Sequence, residues 1–172
     1  MLVLGIDPGT AITGYGLVRE DQDGSLAMVA YGVIETQPAD SQAERLLELF
    51  KKLCEIITLH RPESGAVEKL FFQRNVRTAL SVGQARGVAL LALAQAGLDV
   101  FEYTPLEVKQ AVVGYGGADK NQVQQMVRAL LGLSEIPRPD DAADAIAIAI
   151  CHLHSARMKS LYNNPSRGTG PA

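Results

Sequence analysis

The chain has 172 residues, a length that suits one compact domain. Hydrophobic residues make up 47% and charged residues 20%, so the chain can bury a core without disulfide bonds. The net charge of −3 weighs against a strongly basic nucleic-acid binder, although metal ions that neutralise carboxylates would leave basic residues free for phosphates. No signal peptide or transmembrane run is recognised, which predicts a soluble, cytoplasmic protein in which Cys54 and Cys151 are reduced core thiols.

The N-terminal half of the chain predicts three strands, a helix and a fourth strand. The strands are short apolar or β-branched runs, with the turn residues Pro8-Gly9 and Asp23-Gly24 between them. The helix has apolar residues three and four positions apart and Ser41 as its N-cap. These elements are expected at residues 2–7, 13–19, 27–36, 41–60 and 64–68.

The C-terminal half predicts four helices and one further strand. A long helix ends at Gly97, Pro105 opens a short helix, and Asp119 caps the next one. Asp140 or Asp141 caps the last helix. These elements are expected at residues 76–96, 99–103, 105–113, about 119–132 and about 140–157.

These elements together predict one mixed α/β domain over residues 1–157, with helices on the faces of a sheet. The sequence has no internal repeat that would indicate a repeat architecture. Residues 158–172 are rich in Pro, Gly, Ser and Asn, a composition that predicts a disordered tail.

Four acidic residues stand where an ionised side chain is costly. Asp7 and Glu68 end apolar strands, while Asp141 and Asp144 open a helix that continues as AIAIAI. If neighbouring strands are parallel, their C-terminal ends share one edge, and acids three residues apart share one helix face. Four oxygen ligands without a soft ligand nearby favour Mg²⁺ or Mn²⁺ over zinc. Alternatively, Asp7 is a turn residue and Asp141 a helix cap. The histidines lack ligand spacing and are interpreted as surface or helix-end residues: His60, His152 and His154.

The segment between the fourth strand and the long helix carries a second signal, in which Phe71 and Phe72 precede Arg74. Aromatic side chains stack on unpaired bases and contribute roughly 1–3 kcal/mol per base. The alternative is that a phenylalanine closes the core. Three other basic residues are weaker phosphate candidates, with a solvated charge as the alternative for each: Arg77, Arg86 and Lys109.

The long helix carries Gly83 and Gly87, each of which costs the helix roughly 1 kcal/mol relative to alanine. Its leucines make the helix apolar on more than one side. A helix packed on its own sheet and on a partner subunit would have this pattern, and tight packing within one subunit is the alternative.

Several blocks of the sequence resemble the RuvC family of Holliday-junction resolvases over about residues 1–157, in register: GIDPGTAITGYG, AVEKLFFQRN, SVGQARGVALLA, VKQAVVGYGGADKNQVQQMV and DDAADAIAIAI. The resemblance implies a ribonuclease-H-like α/β fold, with a five-stranded mixed sheet, one antiparallel strand and helices on both faces. It also implies a Mg²⁺-dependent homodimeric endonuclease that resolves four-way DNA junctions by paired nicks, in recombination and repair. Two Mg²⁺ ions per subunit, with Mn²⁺ as a substitute, and the branch-migration proteins RuvA and RuvB as partners are implied as well.

The family's site residues map onto this chain through those blocks. Its catalytic and metal-binding acids fall on Asp7, Glu68, Asp141 and Asp144, and some members have histidine at the Asp141 position. Asp140 is then an additional acid and is interpreted as a cap. The resemblance also implies that Lys120 is a catalytic residue that reaches a phosphate near the site and contacts the DNA. It assigns Phe71 as the stacking residue, Phe72 as a second wedge and Arg74 as a contact to the DNA backbone.

Three other functions are considered. An actin-like or sugar-kinase-type ATPase also begins with a strand that ends in Asp-x-Gly-Thr, but 172 residues are too few for its two domains. A non-catalytic junction-binding module would not need acids at all four positions. A relative that cuts RNA or linear DNA would differ in the substrates it cleaves.

Overall fold

The computed structural model describes residues 1–69 and 76–163, of which residues 76–78 and 160–163 are described by their backbone alone. Within this part of the chain no helix is long and apolar enough to cross a membrane. Its strands and helices are β1 (Leu2–Asp7), β2 (Ile12–Glu20), β3 (Leu26–Glu35), α1 (Gln42–His60), β4 (Ser64–Glu68), α2 (Val76–Gln95), β5 (Asp99–Tyr103), α3 (Pro105–Val113), α4 (Lys120–Leu130) and α5 (Asp140–Asn163).

The strands form one mixed sheet in the order β3-β2-β1-β4-β5. β2 runs antiparallel to its neighbours β1 and β3, whereas β1, β4 and β5 run parallel. The predicted five-stranded mixed sheet with one antiparallel strand is therefore confirmed. The pairing between the parallel strands β1 and β4 stops at Ile6 and Val67. The next residues, Asp7 and Glu68, therefore lie side by side at the C-terminal ends of these two strands.

Helices cover both faces of the sheet, because side chains of each strand alternate between two cores. Ala66 packs in the core beneath α5, α3 and α4, and its neighbour Val67 packs in the core beneath α1 and α2. Leu49 and Leu53 supply the inner face of α1, at the spacing that the sequence predicts. Each face of the sheet is thus closed by its own apolar layer.

Helix α5 is longer than predicted, since it continues to Asn163 and not to about Arg157. The added residues, which include Met158 and Lys159, are compatible with a helix, and Pro165 follows shortly after. Residues 164–172 lie outside the described part of the chain. The predicted domain end and disordered tail stay predictions.

Two adjacent side chains of α5 are buried. The expectation that His152 lies at the surface is wrong: it is 3% exposed, its Nδ1 lies 2.8 Å from the Tyr103 hydroxyl and its ring packs on Phe101. Its ring edge is polar, but a single hydroxyl partner within the fold lets it enter the core. Cys151 is a buried free thiol, as predicted, and Cys54 is a partly buried one.

Helix α5 packs unusually close to the sheet because three strand positions facing it lack a side chain. A Cβ atom at Gly5 would meet the Ala145 carbonyl, and one at Gly16 would meet the backbone of Ile146. A Cβ atom at Gly14 would overlap the carbonyl of Asp141. Glycine inside a strand commonly marks such a close backbone approach. The small strand residues therefore set how near the acidic start of α5 comes to β1 and β2.

We predict that Gly14→Ala destabilises the protein by about 1–3 kcal/mol, because the added methyl group must push α5 away from β2. Urea unfolding checks the stability, and hydrogen exchange of the α5 amides checks the displacement. Unchanged stability together with unchanged α5 protection would contradict this account of the helix position.

Candidate active site

The strand-end acids and the start of α5 meet at one edge of the sheet. Glu68 lies two residues after Ala66, so its side chain projects from the face that α5 covers. Glu68 and Asp144 line the same cleft, together with Lys109 and Lys120. Sequence positions more than 70 residues apart thus meet in one place, as the parallel-strand argument predicts.

Asp7 and Asp141 are brought to this edge by the glycine contact. Asp7 pairs with Gly14 across the β1–β2 ladder, and the backbone of Asp141 sits directly over Gly14. Asp141 and Asp144 are one helical turn apart on α5, so both acids belong to the turn of the helix that faces Asp7. The geometry accordingly gathers the four predicted acids around the end of β1.

Lys120 enters this acidic cluster from α4. Its ammonium nitrogen lies 2.9 Å from Oδ2 of Asp144 and 3.4 Å from Oδ2 of Asp140. Lys120 is the first residue of α4, whose N-cap Asp119 and residue Gln122 form a capping box. The cap fixes where the helix begins, and therefore where the lysine side chain starts.

The carboxyl of Asp7 carries the largest electrostatic perturbation of the site. Burial and, after it, the charges of Glu68, Asp144 and Asp141 together raise the pKa of Asp7 from its ordinary 3.8 to about 7. Lys120 acts in the opposite direction but does not offset the acids. A carboxyl near half-protonation at neutral pH reports an excess of negative charge in a poorly solvated place.

The other groups of the cluster respond to the same charges. Burial and the charge of Asp144 raise the pKa of Glu68, and burial raises the pKa of Asp144 despite its hydrogen bond with Lys120. Burial acts to lower the pKa of Lys120, but the hydrogen bond and charge of Asp144 outweigh it and the pKa is raised. The lysine is therefore a firmly charged ammonium that neutralises part of the cluster.

The donor set fits a hard divalent cation. Within residues 1–69 and 76–163, no three His, Cys, Asp or Glu side chains are arranged so that they could hold a metal ion as they stand. The electrostatics nevertheless favour a cation, since burial and three neighbouring acids raise the pKa of Asp7 and Lys120 compensates only part of the negative charge. Carboxylate oxygens are the ligands that Mg²⁺ and Mn²⁺ prefer. Small side-chain rotations toward a bound ion would relieve the repulsion.

Asp140 does not act as the predicted helix cap. It is the first residue of α5, and its Oδ1 accepts hydrogen bonds from Gln124 Nε2 at 3.1 Å and from Arg138 at 2.6 Å. The hydrogen bond with Gln124 and the charges of Lys120 and Arg138 lower the pKa of Asp140. Cationic and amide partners compete for this carboxylate more effectively than the helix NH groups do. Asp140 therefore holds Lys120 beside the cluster.

The residues that were predicted to contact DNA differ in where the structure places them. Lys109 lines the cleft beside Glu68. Arg86 is not a free phosphate ligand, because its guanidinium pairs with Glu102 and donates to the Glu68 carbonyl. The remaining candidates lie outside the described side chains and stay predictions: Phe71, Phe72, Arg74 and Arg77.

Sequence reasoning missed the residues that hold the loop after Asp7. The Thr13 hydroxyl donates to the Gly9 carbonyl at 2.6 Å, and the Gly9 NH donates back to it at 3.2 Å. Thr10 donates its hydroxyl to the Ser81 carbonyl of α2 at 2.8 Å. Threonine next to a Pro-Gly turn is a usable signal for such local bonds, whereas the bond to Ser81 depends on the tertiary fold.

Comparison with known proteins places this chain among nucleases. The sequence model of the family described as crossover junction endodeoxyribonuclease RuvC matches residues 3–152. The chain is 61% identical over 154 residues to the crossover junction endodeoxyribonuclease RuvC of Pelotomaculum thermopropionicum, covering 90% of this chain and 93% of that protein. It is 63% identical over 155 residues to the corresponding protein of Heliobacterium modesticaldum, covering 90% and 95%.

Solved structures agree with the sequence comparison. Thermus thermophilus RuvC superposes with a TM-score of 0.87 at 42% identity, over 92% of this chain and 97% of that one. T. thermophilus RuvC in complex with Holliday junction substrate gives a TM-score of 0.88 at 41% identity, over 93% and 97%. A yeast mitochondrial Holliday junction resolvase shares the fold, with a TM-score of 0.68 at 16% identity. The expected ribonuclease-H-like fold is confirmed, the actin-like ATPase interpretation is excluded, and the chain belongs to the RuvC family of crossover junction endodeoxyribonucleases.

Proposed function

We propose that this chain resolves four-way DNA junctions by metal-dependent phosphodiester hydrolysis at the edge formed by Asp7, Glu68, Asp141 and Asp144. The observation that carries the proposal is the partly buried cluster of acids beside Lys120, in which burial and the neighbouring acids raise the pKa of Asp7. Nucleases of this family are in general metal-dependent. The Thermus relative binds a Holliday junction, and the chain matches it over nearly its whole length.

The acids supply the charge to hold divalent ions beside a phosphate, once their side chains turn toward the ions. Asp7 and Glu68 approach from adjacent strand ends, and Asp141 and Asp144 approach from one turn of α5. We propose Mg²⁺, two ions per subunit, with Mn²⁺ able to substitute. When bound, the metal supplies an activated water and stabilises the departing 3′ oxygen, which gives 5′-phosphate and 3′-hydroxyl ends.

Lys120 has a separate part in this mechanism. Its ammonium pairs with Asp144 and Asp140, and it would exchange the contact with Asp144 for a phosphate while Asp140 keeps it near the cleft. Lys109 lies on the wall of the same cleft and would contact the DNA backbone. The aromatic pair Phe71 and Phe72, with Arg74 and Arg77, is proposed to stack on and hold the opened junction centre.

The proposed enzyme is a homodimer joined through α2, because paired nicks need two active sites. The outward face of α2 carries Leu80 at 65% and Leu91 at 58% exposure, and Gly87 between them has open space where a Cβ would be. These positions form one stripe opposite the buried alanines of the helix. Exposed leucines with glycine between them allow close approach of a second helix. RuvA and RuvB as partners and the cytoplasmic location stay predictions.

We predict that Asp7→Asn and Asp144→Asn each reduce junction cleavage by roughly 10³-fold, since each removes several kcal/mol of charge stabilisation of the transition state. Junction affinity should stay within about threefold, because binding depends mainly on basic and aromatic residues. Single-turnover cleavage and a band-shift titration measure the two effects.

The matched control is Asp23→Asn, the same change in an exposed turn at the other end of β2, which should cut at the wild-type rate. Duplex DNA and RNA–DNA hybrids test the rival substrate classes. Cleavage by Asp7→Asn at the wild-type rate would contradict the metal-ligand role of Asp7. Cleavage of duplexes at the same rate as four-way junctions would contradict the junction specificity.

We predict that Asp7 makes the metal-free protein less stable as the pH rises. The folded-state pKa is about 7 and the ordinary value is 3.8, so the folded protein binds the extra proton between these values. The favourable contribution is complete below about pH 4 and is lost as the pH rises through 7. Asp7→Asn should therefore gain about 1–3 kcal/mol relative to wild type between pH 4 and pH 8.

Urea unfolding in EDTA at several pH values measures this difference. Added Mg²⁺ at pH 8 should stabilise the wild-type protein more than Asp7→Asn, because the ion binds the folded state. A difference between the two proteins that does not change with pH would contradict the raised pKa of Asp7.

We predict that Leu91→Glu weakens the dimer by at least about tenfold in dissociation constant, since it places a charge in an apolar helix contact. Analytical ultracentrifugation measures the dimer population. The control is Leu59→Glu on α1, where the leucine is 75% exposed and lies on a different helix. A monomeric wild-type protein, or a Leu91→Glu protein that dimerises normally, would refute the α2 interface.

A further inference from the structure

Arg86 is a mostly buried charge in a helix built from small and apolar residues. Its side chain is 21% exposed, and its neighbours on the inner side of α2, Ala85 and Ala89, are fully buried. A guanidinium withdrawn from water is costly unless its donors are satisfied. The hydrogen-bond and ion-pair partners of Arg86 therefore indicate which parts of the structure it restrains.

The guanidinium bridges the ends of two adjacent parallel strands. Its Nε donates to the main-chain carbonyl of Glu68 at 3.3 Å, and its Nη2 pairs with the carboxylate of Glu102. Glu102 lies beside Val67 in the β4–β5 register, so both contacts lie within one step of the ladder. The rigid fork of an arginine can make two such contacts at once, which the single ammonium of a lysine cannot do as well.

The contact reaches Glu68 from the face of the sheet opposite its carboxylate. Val67 packs in the core beneath α2, so the alternating side chain of Glu68 points to the α5 face, toward Asp144. Arg86 comes from α2 and touches only the backbone of Glu68. It is thus well placed to orient that residue and badly placed to reach a phosphate on the other side.

We propose that Arg86, which is itself held by Glu102, is a positioning residue that orients the Glu68 carboxylate. The NH of Lys69 donates to the Tyr103 carbonyl at 2.8 Å, and the bond from Arg86 to the Glu68 carbonyl restrains the same peptide from the α2 side. The β1–β4 ladder stops at Val67, so Glu68 has its ladder partner, Tyr103, on the β5 side. The inference rests on the proposed role of Glu68 as a metal ligand, for which small misplacements are costly.

The test compares Arg86→Met, Arg86→Lys and Glu102→Gln with the wild-type protein. Arg86→Met should lower the single-turnover rate on a four-way junction by about 10–100-fold and raise the half-saturating Mg²⁺ concentration by about tenfold, while the junction Kd stays within about threefold. Arg86→Lys should recover part of the loss, because it keeps the charge opposite Glu102 but not both contacts. Glu102→Gln should cause a smaller loss of the same kind.

A readout independent of cleavage is calorimetric titration of the DNA-free proteins with Mg²⁺ alone, in which Arg86→Met should bind about tenfold more weakly. Arg19→Met is the matched control, since it also removes an arginine–carboxylate pair, with Asp21, but at the far end of the sheet. It should match the wild-type protein in rate, Mg²⁺ requirement and Mg²⁺ affinity.

The proposal is overturned if Arg86→Met keeps the wild-type Mg²⁺ affinity and rate. It is equally overturned if that variant loses junction affinity at an unchanged saturated rate, which would make Arg86 a DNA contact. Should Arg86→Met fail to fold by circular dichroism, Arg86→Lys is judged by the same two criteria. If the wild-type protein cuts no junction, the proposed function fails, whereas the calorimetric comparison still decides for or against Arg86.

Discussion

The contact between α5 and the glycines of β1 and β2 is the constraint on which the rest of the site depends. The carbonyl of Asp141 occupies the space where Gly14 would otherwise carry a side chain, and Gly14 is the ladder partner of Asp7. A helix packed at the usual distance on larger strand residues would place its first turn several ångströms farther from β1. The acids from opposite ends of the chain would then not share one electrostatic environment, and Asp144 and Asp141 would no longer add to the effect of burial on the pKa of Asp7.

The acidic cluster lowers the stability of the folded protein when no cation is bound. Several carboxylates repel one another in a poorly solvated edge, and Lys120 offsets only part of that repulsion. Proteins keep such perturbed groups where a ligand or a reaction later stabilises them. The net charge of −3 then has a local explanation, because acids that a cation would neutralise contribute to it without opposing the approach of DNA.

Most of the fold followed from local sequence signals. The predicted strands and helices agree with the structure to within a few residues, since caps such as Ser41 and Asp119 and the apolar spacing act over one or two turns. The proximity of Asp7 and Glu68 was predictable because the C-terminal ends of neighbouring parallel strands lie at the same edge of a sheet. The roles of Asp140 and His152 were not, because each depends on partners distant in the chain, Gln124 and Tyr103. Nothing within a local window indicates such partners.

Helix α2 shows why the contacts that restrain the site from the opposite face of the sheet could not be predicted from the sequence. Its inner face is lined by small alanines, and its polar side chains contact the ends of the strands that carry Asp7 and Glu68, with Ser81 bonded to the loop after Asp7 and Arg86 bonded to Glu68. Glu68 is thus restrained through its main-chain carbonyl from the face opposite its carboxylate, and the loop after Asp7 is restrained through the side chain of Thr10. Every residue type has a main-chain carbonyl, so the residue that accepts such a hydrogen bond cannot be recognised from the sequence. Arg86 alone carries the signal, and in the sequence it has the same appearance as a solvated surface charge.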